Sequence, residues 1–279
     1  MKEKLIEKLL LLIACSAIAI ILLIFLFIFI EGLPVFVKTG VFKFIFSSNW
    51  APTKGHFGIL PMIIGSIVVT LGALVFGVLF GLACAILLAE FAPKGAVRIL
   101  KPLIELLAGI PSVVYGFIGV VVLIPFIRNT LGGPGFSVLA ASIILGVMIL
   151  PTIIAVSLDA IRAVPLVYKE GSLALGATQW QTIYRAIIPA AKSGIIAGII
   201  LGMGRAIGET MAVIMIAGNS LKIPTSLLDP VRTLTSNIAL EMGYASGMHQ
   251  EALFATGVIL FIIIMVLNTV ALLTIGRKS

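Results

Sequence analysis

This sequence predicts an all-α integral membrane protein with six transmembrane helices, and three observations lead there. Of 279 residues, 61% are hydrophobic and 11% are charged, whereas soluble domains carry about a quarter charged residues. Mean hydropathy is +1.26. Six apolar runs are each long enough to cross a hydrocarbon core of about 30 Å, which takes roughly 20 helical residues. A water-soluble globular enzyme, a disordered chain, a collagen and a secreted disulfide scaffold are excluded on composition alone. Backbone amides in hydrocarbon must be satisfied within the segment, and long alternating strand patterns are absent, so the spans read as helices and not as a barrel.

The first run, Leu9–Ile30, follows Lys2, Lys4 and Lys8. It is too long for the apolar part of a signal peptide and no small-x-small site follows it, so it reads as a retained anchor. Met62–Ala89, Leu106–Ile127, Phe136–Leu158, Ser193–Ala217 and Ala252–Ile275 complete the set, in one membrane domain over residues 1–279. Gly109-Ile110-Pro111-Ser112 is expected to break the third span and Pro151 the fourth. Glu105, at the inner start of the third span, is expected in a first helical turn, where a carboxylate suits the helix dipole.

With the N-terminus inside, the inner segments hold Lys2, Lys4, Lys8, Lys94, Arg98, Lys101, Arg162, Lys169, Arg185, Lys192, Arg277 and Lys278, twelve in all. The outer segments hold six: Lys38, Lys43, Lys54, Arg128, Lys222 and Arg232. This excess places both termini in the cytoplasm and accounts for the formal charge of +8 without nucleic acid. Outside, Gly132-Gly133-Pro134-Gly135 is a tight turn, and Glu31–Pro61 and Gly218–Glu251 are long. Inside, residues 159–192 are too long for a simple connection. Pro165 suits the start of a helix reaching about Leu175, Gly176 suits a left-handed cap, and Thr178-Gln179-Trp180-Gln181 reads as a capping box opening a second helix. Such an elbow fits either a docking surface or an amphipathic segment lying on the membrane.

The fifth span carries Gly204-Arg205-Ala206-Ile207-Gly208-Glu209-Thr210. Arg205 and Glu209 are four residues apart and are expected to pair on one helix face. At about 100° per residue that face is also the stripe of Gly194, Gly198 and Gly202, where a neighbouring backbone can approach closely. Ionisable groups at bilayer depth mark a substrate route or a structural pair, and both readings fit. An Arg fork suits an oxyanion. A carboxylate beside it accepts a hydrogen bond from protonated phosphate but repels sulfate, which has no proton to offer near neutral pH.

Other chemistry is weakly represented. Cys15 and Cys84 sit in apolar runs and the two histidines, His56 and His249, are far apart, so no disulfide framework, metal site or catalytic group is expected. No Gly-Lys dipeptide occurs, so the chain has no G-x-x-x-x-G-K-[ST] phosphate loop with which to hydrolyse ATP itself.

The inner elbow resembles the signature of binding-protein-dependent ABC importer permeases: Glu-Ala-Ala, three residues, Gly, nine residues, Ile-x-Leu-Pro. Glu170, Gly176 and Pro189 stand at those spacings, while Gly171 and Ser172 replace the two alanines, Ala186 the isoleucine and Ile188 the leucine. Trp50-Ala51-Pro52 with Phe57-Gly58 and Pro61, Leu107–Phe117, and Gly204–Val213 are similar to the PstC family of phosphate-importer permeases; the sister PstA family has a related Arg-Ala-x-Gly-Glu-Thr motif. The resemblance implies a type I ABC importer permease fold, with Glu170, Gly171, Ser172, Gly176 and Pro189 forming a coupling helix for the ATPase. It also implies a second, PstA-like permease, a PstB-like ATPase dimer using ATP-Mg, and a PstS-like external phosphate-binding protein. Arg205 and Glu209 then lie on the substrate path. A permease for sulfate or molybdate, the sister phosphate permease, and a membrane scaffold for phosphate signalling stay open beside it.

Overall fold

The computed structural model describes residues 2–276, so Arg277 and Lys278, counted among the inner cations, lie outside the described residues. The chain begins with α1 (Lys2–Thr39) and α2 (Val41–Phe46), then a short antiparallel hairpin of β1 (Trp50–Ala51) and β2 (His56–Phe57) with Trp50 opposite Phe57. Next come α3 (Leu60–Ile86), continued by a π-turn over Leu87–Phe91, and α4 (Lys94–Ala108). After these, α5 (Ser112–Ile118) leads through a second π-turn into α6 (Ile124–Thr130), and α7 (Val138–Arg162) follows. The elbow is α8 (Leu166–Ala174) and α9 (Gln179–Thr182), which runs through a π-turn into α10 (Ile188–Gly208). The chain closes with α11 (Met211–Ile216), α12 (Leu234–Glu241) and α13 (Met248–Gly276). Among the described residues, six helical stretches are long and apolar enough to cross a membrane: Ile6–Thr39, Leu60–Phe91, Ser112–Thr130, Val138–Arg162, Gln179–Gly208 and Met248–Val270.

The expected break of the third span forms: the run from Leu106 to Ile127 is divided among α4, α5 and α6, because Pro111 offers no N–H to continue the ladder. Glu105 therefore sits in the last turn of α4, not in a first turn. The run from Ser193 to Ala217 is interrupted at Glu209, whose backbone is extended at φ −68°, ψ 133°. Conversely, α7 runs unbroken through Pro151, which is buried in it. The turn over residues 132–135 forms with positive φ at Gly132, Gly133 and Gly135, and the Arg128 guanidinium donates to the Pro134 carbonyl at 2.9 Å.

The chain divides into two compact units. One combines the chain up to Leu60 with Asn237–Ile262. There Gly32 lies so close to the Ala255 backbone that a Cβ would collide with it, and Phe25 meets Phe261 with ring centroids 4.7 Å apart. Buried Glu241 accepts from the Trp50 indole N–H at 2.9 Å and shares a 2.8 Å bond with His249 Nε2, so a polar knot ties the hairpin to α12 and α13.

The other unit combines Pro61–Ser236 with the chain from Ile263 on. Its centre is α7, with Leu145, Met148, Ile149 and Ile153 fully buried. Glycines let helices close on it: Gly77 and Gly81 of α3 face Ile149 and Ile153, while Gly194, Gly198 and Gly202 of α10 face Ala160, Val156 and Ile153. Absent side chains bring the backbones together, which is how helices pack where no hydrophobic drive separates protein from lipid. On the far side of the Glu209 break, α11 packs mainly on α5, where Gly116 meets Ala212 and Met215, while keeping contact with α7.

Candidate functional site

Two helix breaks meet in the second unit. At the first, Pro111 leaves the carbonyls at the end of α4 short of helical donors. The Tyr115 hydroxyl donates to the Leu107 carbonyl at 2.8 Å, and Arg205 Nη2 donates to the Ala108 carbonyl at 3.2 Å. The guanidinium thus sits at the negative end of the α4 dipole. At the second break, the Glu209 carboxylate accepts from the Ala212 backbone N–H at 3.0 Å and so caps α11. The Glu209 carbonyl accepts from the Thr235 hydroxyl at 2.8 Å.

The ion pair expected from four-residue spacing is therefore not formed. Glu209 lies beyond the last turn of α10, so the helical register that would align it with Arg205 no longer holds. Both side chains are half-buried. Arg205 has five N–H donors, and Ala108 is its hydrogen-bond partner among the described residues. Its other N–H groups have no partner among the described residues, and a guanidinium fork is able to meet an oxyanion bidentately. Ala108, Tyr115 and Thr235 were not singled out from the sequence; they act through tertiary contacts that no local spacing encodes.

The elbow forms as two short helices. Pro165 occupies the N-cap of α8, Gly176 takes φ 84° after it, and Thr178 and Gln181 make the reciprocal capping box of α9. Glu170 and Gly171 are exposed, with open space around Gly171; the Ser172 hydroxyl meets that of Thr182 at 2.9 Å; Pro189 opens α10. Leu166, Val167, Leu175, Trp180 and Tyr184 are all exposed, Leu175 to 91%. A patch of that kind marks a contact with protein or with membrane.

The elbow is fastened to the end of α3. Lys169 Nζ meets Glu90 Oε2 at 2.6 Å, with the Glu90 side chain 8% exposed. The Gln179 amide donates to the Glu90 carbonyl at 3.4 Å, and Phe91 leans on Trp180 at 6.5 Å. Beside it, Lys101 pairs with Asp159 at 2.8 Å, linking α4 to α7. Glu90 and Lys169 are 79 positions apart, so only the folded chain reveals the tie.

Comparison with known proteins matches residues 77–277 to the family of binding-protein-dependent transport system inner membrane components. A probable ABC transporter permease protein, YqgH of Bacillus subtilis, is 44% identical over 240 residues, covering 84% of this chain and 78% of that one. The phosphate transport system permease protein PstC of Mesorhizobium japonicum is 37% identical over 251 residues, covering 82% and 77%. Among solved structures, a chain of a bacterial ABC transporter that imports the acidic polysaccharide alginate aligns with a TM-score of 0.67 at 20% identity, covering 99% and 98%. A chain of the MetNI methionine ABC transporter in an inward-facing conformation aligns with a TM-score of 0.61 at 20% identity, covering 77% and 93%. At such identities the two structures speak to the fold.

Proposed function

Because the chain belongs to the binding-protein-dependent transport system inner membrane component family, with the type I ABC importer permease fold, we propose that it is the permease subunit that carries inorganic phosphate across the cytoplasmic membrane. The observation that carries the substrate is the 34–37% identity to PstC phosphate permeases over most of the chain. The site adds a physical reason. Arg205 keeps donors for an oxyanion, and Glu209 lies at the helix break beside it, where a carboxylate favours an anion that still carries a proton.

In this reading the chain pairs with a second, PstA-like permease, and a PstS-like external protein delivers phosphate to the outer segments. A PstB-like ATPase dimer binds ATP-Mg and grips the elbow around Glu170, Gly171, Ser172, Gly176 and Pro189, with the exposed Leu175 and Trp180 as its apolar contacts. Both termini are cytoplasmic, in line with the basic excess on the elbow side. ATP-driven closure pushes on α8, the Lys169–Glu90 tie passes the motion to α3, and the helices rock about the central route.

Uptake of labelled phosphate by the complete complex in proteoliposomes tests this. Arg205→Ala is expected to lower uptake about tenfold or more, the loss of roughly one charge-assisted hydrogen bond. Glu209→Gln should relax the selection against sulfate in a competition assay. Wild-type uptake by Arg205→Ala would remove Arg205 from the route, and sulfate transport by the native complex would overturn phosphate as the substrate.

A further inference from the structure

A cavity of about 700 Å³ opens where α3, α4 and α7 end on the elbow side. Four cations line it: Lys94, Arg98, Lys101 and Arg162. Two are already engaged, Lys101 by Asp159 at 2.8 Å and Arg162 by the Leu88 carbonyl at 3.3 Å. Lys94 and Arg98 have no hydrogen-bond or ion-pair partner among the described residues, and both are exposed. Glu105 is the one carboxylate on the wall, so the cavity is cationic on balance.

Its floor is apolar, with Leu88 and Val97 buried beneath the charges. It lies where the apolar stretches Leu60–Phe91 and Val138–Arg162 end, the level at which a membrane boundary is expected. Along α4, Ile99, Leu103 and Leu106 are exposed, so this helix offers aliphatic side chains to the outside while its basic residues line the cavity. An interfacial helix with one aliphatic and one cationic face is built for lipid, and basic pockets at the inner ends of spanning helices take anionic headgroups.

We propose that this cavity binds the phosphodiester headgroup of an anionic phospholipid, with Lys94 and Arg98 on the phosphate oxygens and the acyl chains along the aliphatic side of α4. A free phosphate ion shares the headgroup's charge chemistry, but it has no use for the apolar floor or the aliphatic stripe. The inference is independent of what the permease transports.

The complete complex, placed in nanodiscs of phosphatidylcholine with phosphatidylglycerol and examined by native mass spectrometry, tests it. The wild type should retain phosphatidylglycerol in excess over the bulk mixture. The double variant Lys94→Gln/Arg98→Gln should lose that excess by roughly tenfold, since each basic residue near an anionic surface contributes appreciably. Lys43→Gln/Lys54→Gln, which removes the same charge from exposed positions elsewhere, should keep it. Equal retention by the Lys94/Arg98 variant, or equal loss by the Lys43/Lys54 variant, would overturn the site. Lipid-independent binding of inorganic phosphate that requires Lys94 and Arg98 would overturn the lipid assignment in favour of a free-anion site. Phosphate uptake, measured separately, reports on the transport reading alone.

Discussion

Arg205 and Glu209 are neighbours in sequence that serve different helix ends. Each answers a backbone need created by a break: Arg205 supplies a donor to the Ala108 carbonyl, and Glu209 supplies an acceptor to the Ala212 N–H. Arg205→Lys keeps the charge but loses the planar fork, so phosphate uptake should fall by an amount between wild type and Arg205→Ala, with complex assembly unchanged by size-exclusion chromatography. Their place in the fifth apolar run is legible in the sequence; their lack of pairing is not. Four-residue spacing implies contact only along a continuous helix, and Thr235, from a distant segment, takes the Glu209 carbonyl that would have continued it. Asp229, in the segment before α12, shows residue-scale chemistry of another kind. The Thr225 backbone N–H, the Thr225 hydroxyl and the Ser226 N–H all donate to its carboxylate and hold its pKa below the ordinary value. A lowered pKa means the capping contribution is present above the usual carboxylate range and is lost as pH falls through the lowered value. Protection of the Thr225 and Ser226 amides, taken relative to the intrinsic exchange rate at each pH, should hold at neutral pH and fall only in acid, whereas Asp229→Ala should lack it throughout.

At the scale of elements, the elbow and the glycine seam were the most readable parts. Thr178 and Gln181 form the capping box that their spacing announces, because capping is local and needs no partner helix. Thr178→Ala should cost about 1 kcal/mol of local stability and weaken retention of the ATPase on the purified complex. The seam between α10 and α7 was legible as a stripe of small residues, although its partner was not. There Gly194→Leu would drive a side chain into Ala160, and an overpacked contact of this kind costs about 1–3 kcal/mol. Gly204, with open space where a Cβ would sit, should accept Ala with unchanged or higher thermal stability of the complex. The Lys169–Glu90 tie was invisible in the sequence, since neither residue belongs to a periodic pattern. If it passes motion from elbow to α3, Glu90→Gln should leave basal ATPase activity in place and lower its stimulation by phosphate-loaded binding protein.

For the molecule as a whole, hydropathy alone was enough to count six spans, because apolar length is the property a bilayer selects. The break of the third span is legible at Pro111, but that of the fifth at Glu209 is not, because an extended backbone interrupts a helix without interrupting its hydrophobicity. Orientation rests on charge asymmetry and has a direct check. In a background lacking Cys15 and Cys84, Lys54→Cys should react with a membrane-impermeant maleimide added outside, and Gly171→Cys only after permeabilisation. The break at Glu209 also has a mechanical consequence. Below it, α10 is clamped along its glycines to α7; above it, α11 is held by α5. The lower half thus answers to α7 along its glycines and the upper half mainly to α5, so Glu209 would serve as a fulcrum between them. With 21 residues at about 1.5 Å each, α10 is a lever arm of about 30 Å. Tilting it by about 10° swings the elbow end by about 5 Å, roughly the pitch of one helical turn, while the outer end stays in place.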